Sequence, residues 1–146
     1  MSRTILKSLQ KQKKEDAMYM EIVDVIARRS HDEKHKVAAV VVKGNKILSY
    51  GWNGVPQGMR NETRNHRGET RWEVIHAEAN ALCKLASSTE SSEGATVYCS
   101  LSPCTECSKL LLQAGIKRVV YGEEYQAVAI KFLKDNGVTV QQWTTN

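Results

Sequence analysis

One mixed β-sheet with helices on both faces is the fold class this sequence predicts, and three observations predict it. Stretches with apolar residues at helical spacing alternate with short β-branched runs once an opening hairpin is passed. Gly and Asn punctuate the junctions. At 146 residues the chain has the length of one domain, enough to bury about two thirds of its unfolded surface. No repeat, low-complexity tract or linker divides it, so residues 1–146 read as a single α/β domain with residues 1–12 as a polar N-terminal arm.

The arm, with Lys7, Lys11, Lys13 and Lys14, feeds a helix expected over Lys13 to Arg29, where Tyr19, Ile22, Val23 and Ile26 form an apolar stripe. Ser30, His31 and Asp32 break the pattern through competing side-chain hydrogen bonds. Val37 to Val42 is apolar without alternation, as in a strand covered on both faces. Gly44-Asn45 marks a tight hairpin turn, and Lys46 to Gly51 returns as the second strand. Gly54 to Trp72 is polar and aperiodic, a long loop of the kind that is functional or disordered. Ile75 to Leu85 has helical spacing. After a Ser- and Glu-rich connection, Ala95 to Ser100 is the third strand. Pro103 suits the first position of a helix that runs to Gln113 and is closed by Gly115. Lys117 to Tyr121 is a fourth strand, Tyr125 to Leu133 a fourth helix stopped near Gly137, and Val138 to Val140 a fifth strand.

Two short stretches carry the chemistry. His76-Ala77-Glu78 and Pro103-Cys104-Thr105-Glu106-Cys107 together supply one imidazole, two thiolates and a free carboxylate. These are the parts of a catalytic zinc site, in which three protein ligands leave a fourth tetrahedral position for water. Cys104 and Cys107 stand three apart, so on a helix both sulfurs share one face, and a helix N-terminus favours the thiolate form. His76 and Glu78 diverge by roughly 200° around a helix axis. Both therefore do not ligate one ion; His76 binds the metal and Glu78 reaches the water and the substrate. The competing reading is a closed structural zinc knuckle with a fourth ligand from Cys99 or a loop His. Cys83 and Cys99 otherwise read as packed small residues.

This constellation resembles the zinc-dependent cytosine and adenine deaminase superfamily, whose signature is H-x-E followed by P-C-x-x-C. Within it, three stretches are similar to the GYNGxPxG, HAExNA and SPCxxC of the deoxycytidylate (dCMP) deaminase family. They are Gly51-Trp52-Asn53-Gly54-Val55-Pro56-Gln57-Gly58, His76-Ala77-Glu78-Ala79-Asn80-Ala81 and Ser102-Pro103-Cys104-Thr105-Glu106-Cys107. Trp52 replaces the usual Tyr. The resemblance implies a three-layer α/β/α cytidine-deaminase-like fold with a five-stranded mixed sheet. It implies hydrolysis of dCMP to dUMP and ammonia, feeding dTMP synthesis, with one catalytic Zn2+ per chain on His76, Cys104 and Cys107 and with Glu78 as proton carrier. Some relatives hold a second, structural zinc, but the His- and Cys-rich insertion for it is not evident here.

For the substrate, the resemblance implies that Asn53 bonds a sugar hydroxyl and that Tyr125 lies near the base or phosphate. An Asx turn before Gly54 and a core tyrosine are the competing accounts. Arg29 and Ser30 are further candidates for the 5′-phosphate. Family members of this kind form hexamers and answer to nucleotide triphosphates with Mg2+, dCTP activating and dTTP inhibiting. By analogy the regulatory site falls in the long loop, where Gly54 permits close backbone approach and Arg60, Arg64 and Arg67 offer guanidinium groups; a mobile solvated loop is the alternative.

A balance of 21 basic against 16 acidic side chains gives +5, which favours anionic partners without naming one. No run approaches the roughly 20 apolar residues of a membrane span, and Met1-Ser2-Arg3-Thr4 lacks a signal-peptide apolar region, so a cytoplasmic address is expected. An editing deaminase acting on RNA or DNA is the second enzymatic reading. Single-strand binders line a basic groove with stacking aromatics, and beyond Trp52, Trp72 and Tyr125 the loops carry few, so nucleic acid is not the expected partner. A non-catalytic zinc or nucleotide-binding module is the reading from another class. Glu78 argues against it, because a pure binding site has little use for a carboxylate there.

Overall fold

The computed structural model describes residues 2–145. Its elements run α1 (Arg3–Ala27), β1 (Ala38–Lys43), β2 (Lys46–Trp52), α2 (Ala77–Ala86), β3 (Thr96–Leu101), α3 (Thr105–Gln113), β4 (Arg118–Glu123), α4 (Ala127–Asp135) and β5 (Thr139–Gln142). The five strands form one sheet in the order β2-β1-β3-β4-β5. β1 is antiparallel to both β2 and β3, whereas β3, β4 and β5 are parallel, so the sheet is mixed. Gly44 and Asn45 both take positive φ, 55° and 62°, the geometry a two-residue hairpin with primed twist demands.

Alternate residues of each strand feed two different cores. Ala39, Val41, Val97, Cys99 and Val119 pack with Ala81, Leu85, Leu111 and Leu133 from α2, α3 and α4. Ala38, Val40, Val42, Tyr98 and Val120 pack on the other face with Tyr19, Met20, Val23 and Ala27 of α1. The unbroken apolar run at Val37 to Val42 is a consequence of this three-layer arrangement, since neither face meets water.

The stretch expected as a polar arm is helical instead. Ser2 caps it, its Oγ accepting from the Ile5 amide at 3.2 Å, and neither Gly nor Pro interrupts the helix. Side chains from Arg3 to Lys14 are nonetheless exposed. Docking begins one turn later, at Asp16 and Tyr19, which is where the apolar periodicity begins. Asp16 anchors that turn: Arg118 donates to its two oxygens at 2.9 and 2.7 Å and the Tyr98 hydroxyl donates at 2.6 Å. Burial alone would raise the Asp16 carboxyl, but Arg118 and Tyr98 outweigh it and hold the group below the usual range.

Chain direction then gathers the chemistry. β3 and β4 end, β2 ends and β1 begins at the same end of the sheet, because β1 runs against both its neighbours. The residues at or just beyond those termini, Asp32 to Val37, Asn53, Ser102 to Cys104 and Glu123 to Tyr125, therefore share one edge. α2 reaches that edge by lying tight on β2: a Cβ built on Gly51 would stand 2.7 Å from both Ala77 O and Ala81 N, which are backbone atoms unable to yield separately. Gly51→Ala is expected to lift α2 from the sheet, costing about 2 kcal/mol in urea unfolding.

Candidate active site

His76 and Cys104 are not inside helices but cap them. His76 is the N-cap of α2, with φ −67° and ψ 155°, and Cys104 the N-cap of α3, with φ −76° and ψ 174°. Pro103, expected as the first helical residue, precedes the cap. The sulfurs converge by a different route from a shared helix face: Cys104 Sγ turns back to accept from the Cys107 amide at 3.4 Å, which brings it over the first turn where Cys107 sits.

His76 Nδ1 lies 3.3 Å from Cys104 Sγ and 3.5 Å from Cys107 Sγ, and the three donor atoms lie within 4.8 Å of one another. A tetrahedral zinc with ordinary Zn–S and Zn–N bonds separates such donors by about 3.5 Å. The chemistry fits as well as the spacing. Burial pushes the Cys107 thiol far up, with the charges of Glu78 and Cys104 adding to it, so two thiols and a carboxyl crowd one place. A dication reverses that push. Glu78 is outside the donor triad. Cys99 is also outside it; its Sγ points to Val120 O at 3.6 Å, which leaves the knuckle reading without that fourth ligand.

Glu78 is 5% exposed. Burial raises its carboxyl to about 7, with a hydrogen bond to Cys107 and its own amide pulling down only in part. A dication beside it acts in the same direction as that pull. The carboxylate, His76 and Cys104 open onto a cavity of about 300 Å³, with Asn53 and Tyr125 on its walls as expected. Asn53 does more there than face a ligand. Its Oδ1 accepts from the Val37 amide at 3.0 Å and its Nδ2 donates to His35 O at 2.8 Å, tying the end of β2 to the approach of β1. One lone pair and one N–H remain for a bound molecule. Tyr125 is 57% exposed and sits before α4, with its amide on Ser102 Oγ at 2.7 Å; it is a rim residue, not core.

The remaining candidates separate. Arg29 and Ser30 do not line the cavity: the Arg29 guanidinium lies 5.6 Å above the Trp52 ring, and the Ser30 hydroxyl donates to Asn53 O. Gly54 exchanges backbone hydrogen bonds with Ile75 at 3.1 and 2.7 Å, so its amide has a partner and does not cradle a phosphate. Those bonds also close the long loop at its base, and a second bridge, Arg64 with Thr70, closes it further out. Arg60 and Arg67 are exposed, whereas Arg64 turns inward, its side chain 15% exposed and paired with Asp32 at 2.9 Å.

Asp32 is the residue sequence reasoning missed, having read it only as a helix breaker. It is 1% exposed and accepts from the amides of Lys34 and His35 at 2.9 and 2.7 Å and from Arg64. An Asp two residues before two unpaired amides was the available signal. Burial raises its carboxyl, but the His35 amide, Arg64 and the Lys34 amide together bring it to about 2. A carboxyl lowered on folding stabilises the native state above its unfolded value near 3.8 and ceases to do so as pH falls through 2. Urea midpoints are expected to fall between pH 4 and pH 2 by an amount worth about 2 kcal/mol from this group, and Asp32→Asn to flatten that part of the profile.

Residues 13–123 match the family described as the cytidine and deoxycytidylate deaminase zinc-binding region. A deoxycytidylate deaminase of Mycobacterium phage D29 is 38% identical over 123 residues, covering 75% of this chain and 94% of its own. A deoxycytidylate deaminase of Saccharomyces cerevisiae is 33% identical over 140 residues, 88% of this chain; the chain spans only 45% of that yeast protein. The crystal structure of a dCMP deaminase from cyanophage S-TIM5 in complex with dCMP and dUMP matches with a TM-score of 0.83 at 38% identity, over 98% of this chain and 99% of that one. With the sheet order, the paired helix caps and the His76, Cys104, Cys107 triad already in place, this match shows that the chain belongs to the cytidine and deoxycytidylate deaminase family.

Proposed function

We propose that the chain hydrolyses dCMP to dUMP and ammonia, so supplying the precursor of dTMP. The observation that carries this reading is the buried Glu78 carboxylate beside the His76, Cys104 and Cys107 donors, opening on a cavity of about 300 Å³. Support for the substrate comes from the phage D29 and S-TIM5 proteins, whose names give dCMP deamination.

A zinc ion would be held by His76, Cys104 and Cys107 and would supply a water acidified to near neutral pH. The protein's own contribution is positional. Glu78 would take one proton from the water as its oxygen bonds to C4 and pass it to ring N3, then take the second proton from the resulting C4 hydroxyl and pass it to the amine as the C4–N bond breaks, so that dCMP and water balance dUMP and ammonia. Asn53 keeps one amide proton for the sugar. Tyr125, on the rim, closes over the base.

On the family resemblance we further propose a cytoplasmic homo-oligomer, a hexamer, regulated by dCTP and dTTP with Mg2+ at the exposed Arg60 and Arg67 of the long loop. Among the described residues no helix is long and apolar enough to cross a membrane.

Ammonia release from dCMP, and none from single-stranded oligonucleotides, is the expected assay result; the reverse preference would replace this reading by nucleic-acid editing. Glu78→Gln is expected to keep its zinc and lose turnover by about 10²- to 10⁴-fold, whereas Cys107→Ser loses both metal and activity. dCTP is expected to shift the dCMP saturation curve to lower concentration, and Arg60→Ala with Arg67→Ala to abolish the shift while leaving zinc content unchanged.

A further inference from the structure

Three carboxylates, Asp32, Glu78 and Glu123, line the cavity, and among the described residues Arg64 is its one permanently charged cation. A nucleotide carries a phosphate into that surrounding, and an anion set among carboxylates needs a cation held where water does not screen it. Lys34 and Lys36 do not serve. Both line the neighbouring groove beside α1 and not this cavity.

Arg64 is held ready. Its Nε and Nη2 donate to Asp32 Oδ1 at 3.3 and 2.9 Å, and its Nη1 donates to Gly68 O at 2.8 Å. Those bonds use three of the five guanidinium protons, leaving one N–H on each terminal nitrogen. Two such protons match two oxygens of one phosphate. Asp32 is itself fixed by the Lys34 and His35 amides, so it orients the guanidinium and shares its charge with those amides. We infer that Arg64 reads the 5′-phosphate of the pyrimidine nucleotide, with Asp32 as the residue that positions it. This deepens the dCMP reading and rests on it. It also separates Arg64 from Arg60 and Arg67, which stay on the loop's outer surface.

Calorimetric binding of dUMP and of deoxyuridine to zinc-loaded wild type, Arg64→Gln and Arg64→Lys tests it. Arg64→Gln is expected to weaken dUMP by about 10- to 100-fold, the worth of a charge-assisted hydrogen bond, and to leave deoxyuridine within about twofold. Arg64→Lys recovers part of the loss, keeping the charge without the fork. Equal weakening of the two ligands overturns the inference, since Arg64 then only supports the loop; so does unchanged dUMP affinity. Should Arg64→Gln fail to fold, a wild-type crystal with dUMP decides: phosphate oxygens about 3 Å from both Nη atoms support the assignment, and a phosphate held by other side chains overturns it. The dCMP reading fails by a separate result, a wild-type enzyme that releases no ammonia from dCMP.

Discussion

Everything chemical in this structure depends on two helices starting at the same point. His76 caps α2 and Cys104 caps α3, and their donor atoms stand 3.3 Å apart although 28 residues separate them in the chain. The sheet enforces this. α3 starts where β3 ends, which fixes Cys104 and Cys107 at one edge; α2 lies close against β2, whose Gly51 admits the Ala77 and Ala81 backbone to van der Waals limits. Moving either helix by an ångström separates donors that an ion must bridge. The buried apolar layer of Ala81, Leu85 and Leu111 is thus both the core of one face and the mounting of the site.

Much of this was legible in the chain because it is written in local patterns. Val37 to Val42 announced a strand buried on both faces, Gly44-Asn45 announced the hairpin, and the two ligand stretches announced the donor triad. Local pattern could not carry the role of residues whose partners lie far off. Asp32 looked like a helix terminator because its amide partners are adjacent, while Arg64, which completes its surroundings, lies 32 residues away. Arg29 and Ser30 were further phosphate candidates, but the end of α1 directs one onto Trp52 and the other onto the Asn53 carbonyl. The start of α1 was misread for another reason: its first turns have good helix formers and a Ser cap, yet no apolar face that docks, and periodicity reports docking, not helicity.

The long loop shows how an aperiodic segment becomes part of a site. Its base is closed by Gly54 and Ile75, its middle by Thr63 and Arg71, and Arg64 turns its side chain in to Asp32. These backbone closures place Thr70 and Val74 on the cavity wall. Each uses groups a solvated loop would leave to water, so the segment spends its polar atoms on itself and the cavity gains a wall that no helix or strand supplies.

Charge is arranged against the global balance. The chain carries +5 overall, yet the cavity gathers three carboxylates and the Cys104 thiol. Such a surrounding suits a dication and repels an anion, and long-range attraction from exposed lysines on α1 fades within about 10 Å of salt water. Net positive charge therefore cannot by itself explain why an anionic nucleotide would settle there. Recognition has to come from a local cation that burial protects from screening and that a carboxylate keeps in place. A guanidinium satisfies both conditions where an ammonium does not, because its fork lets one side be spent on Asp32 while one N–H on each terminal nitrogen is left for a ligand.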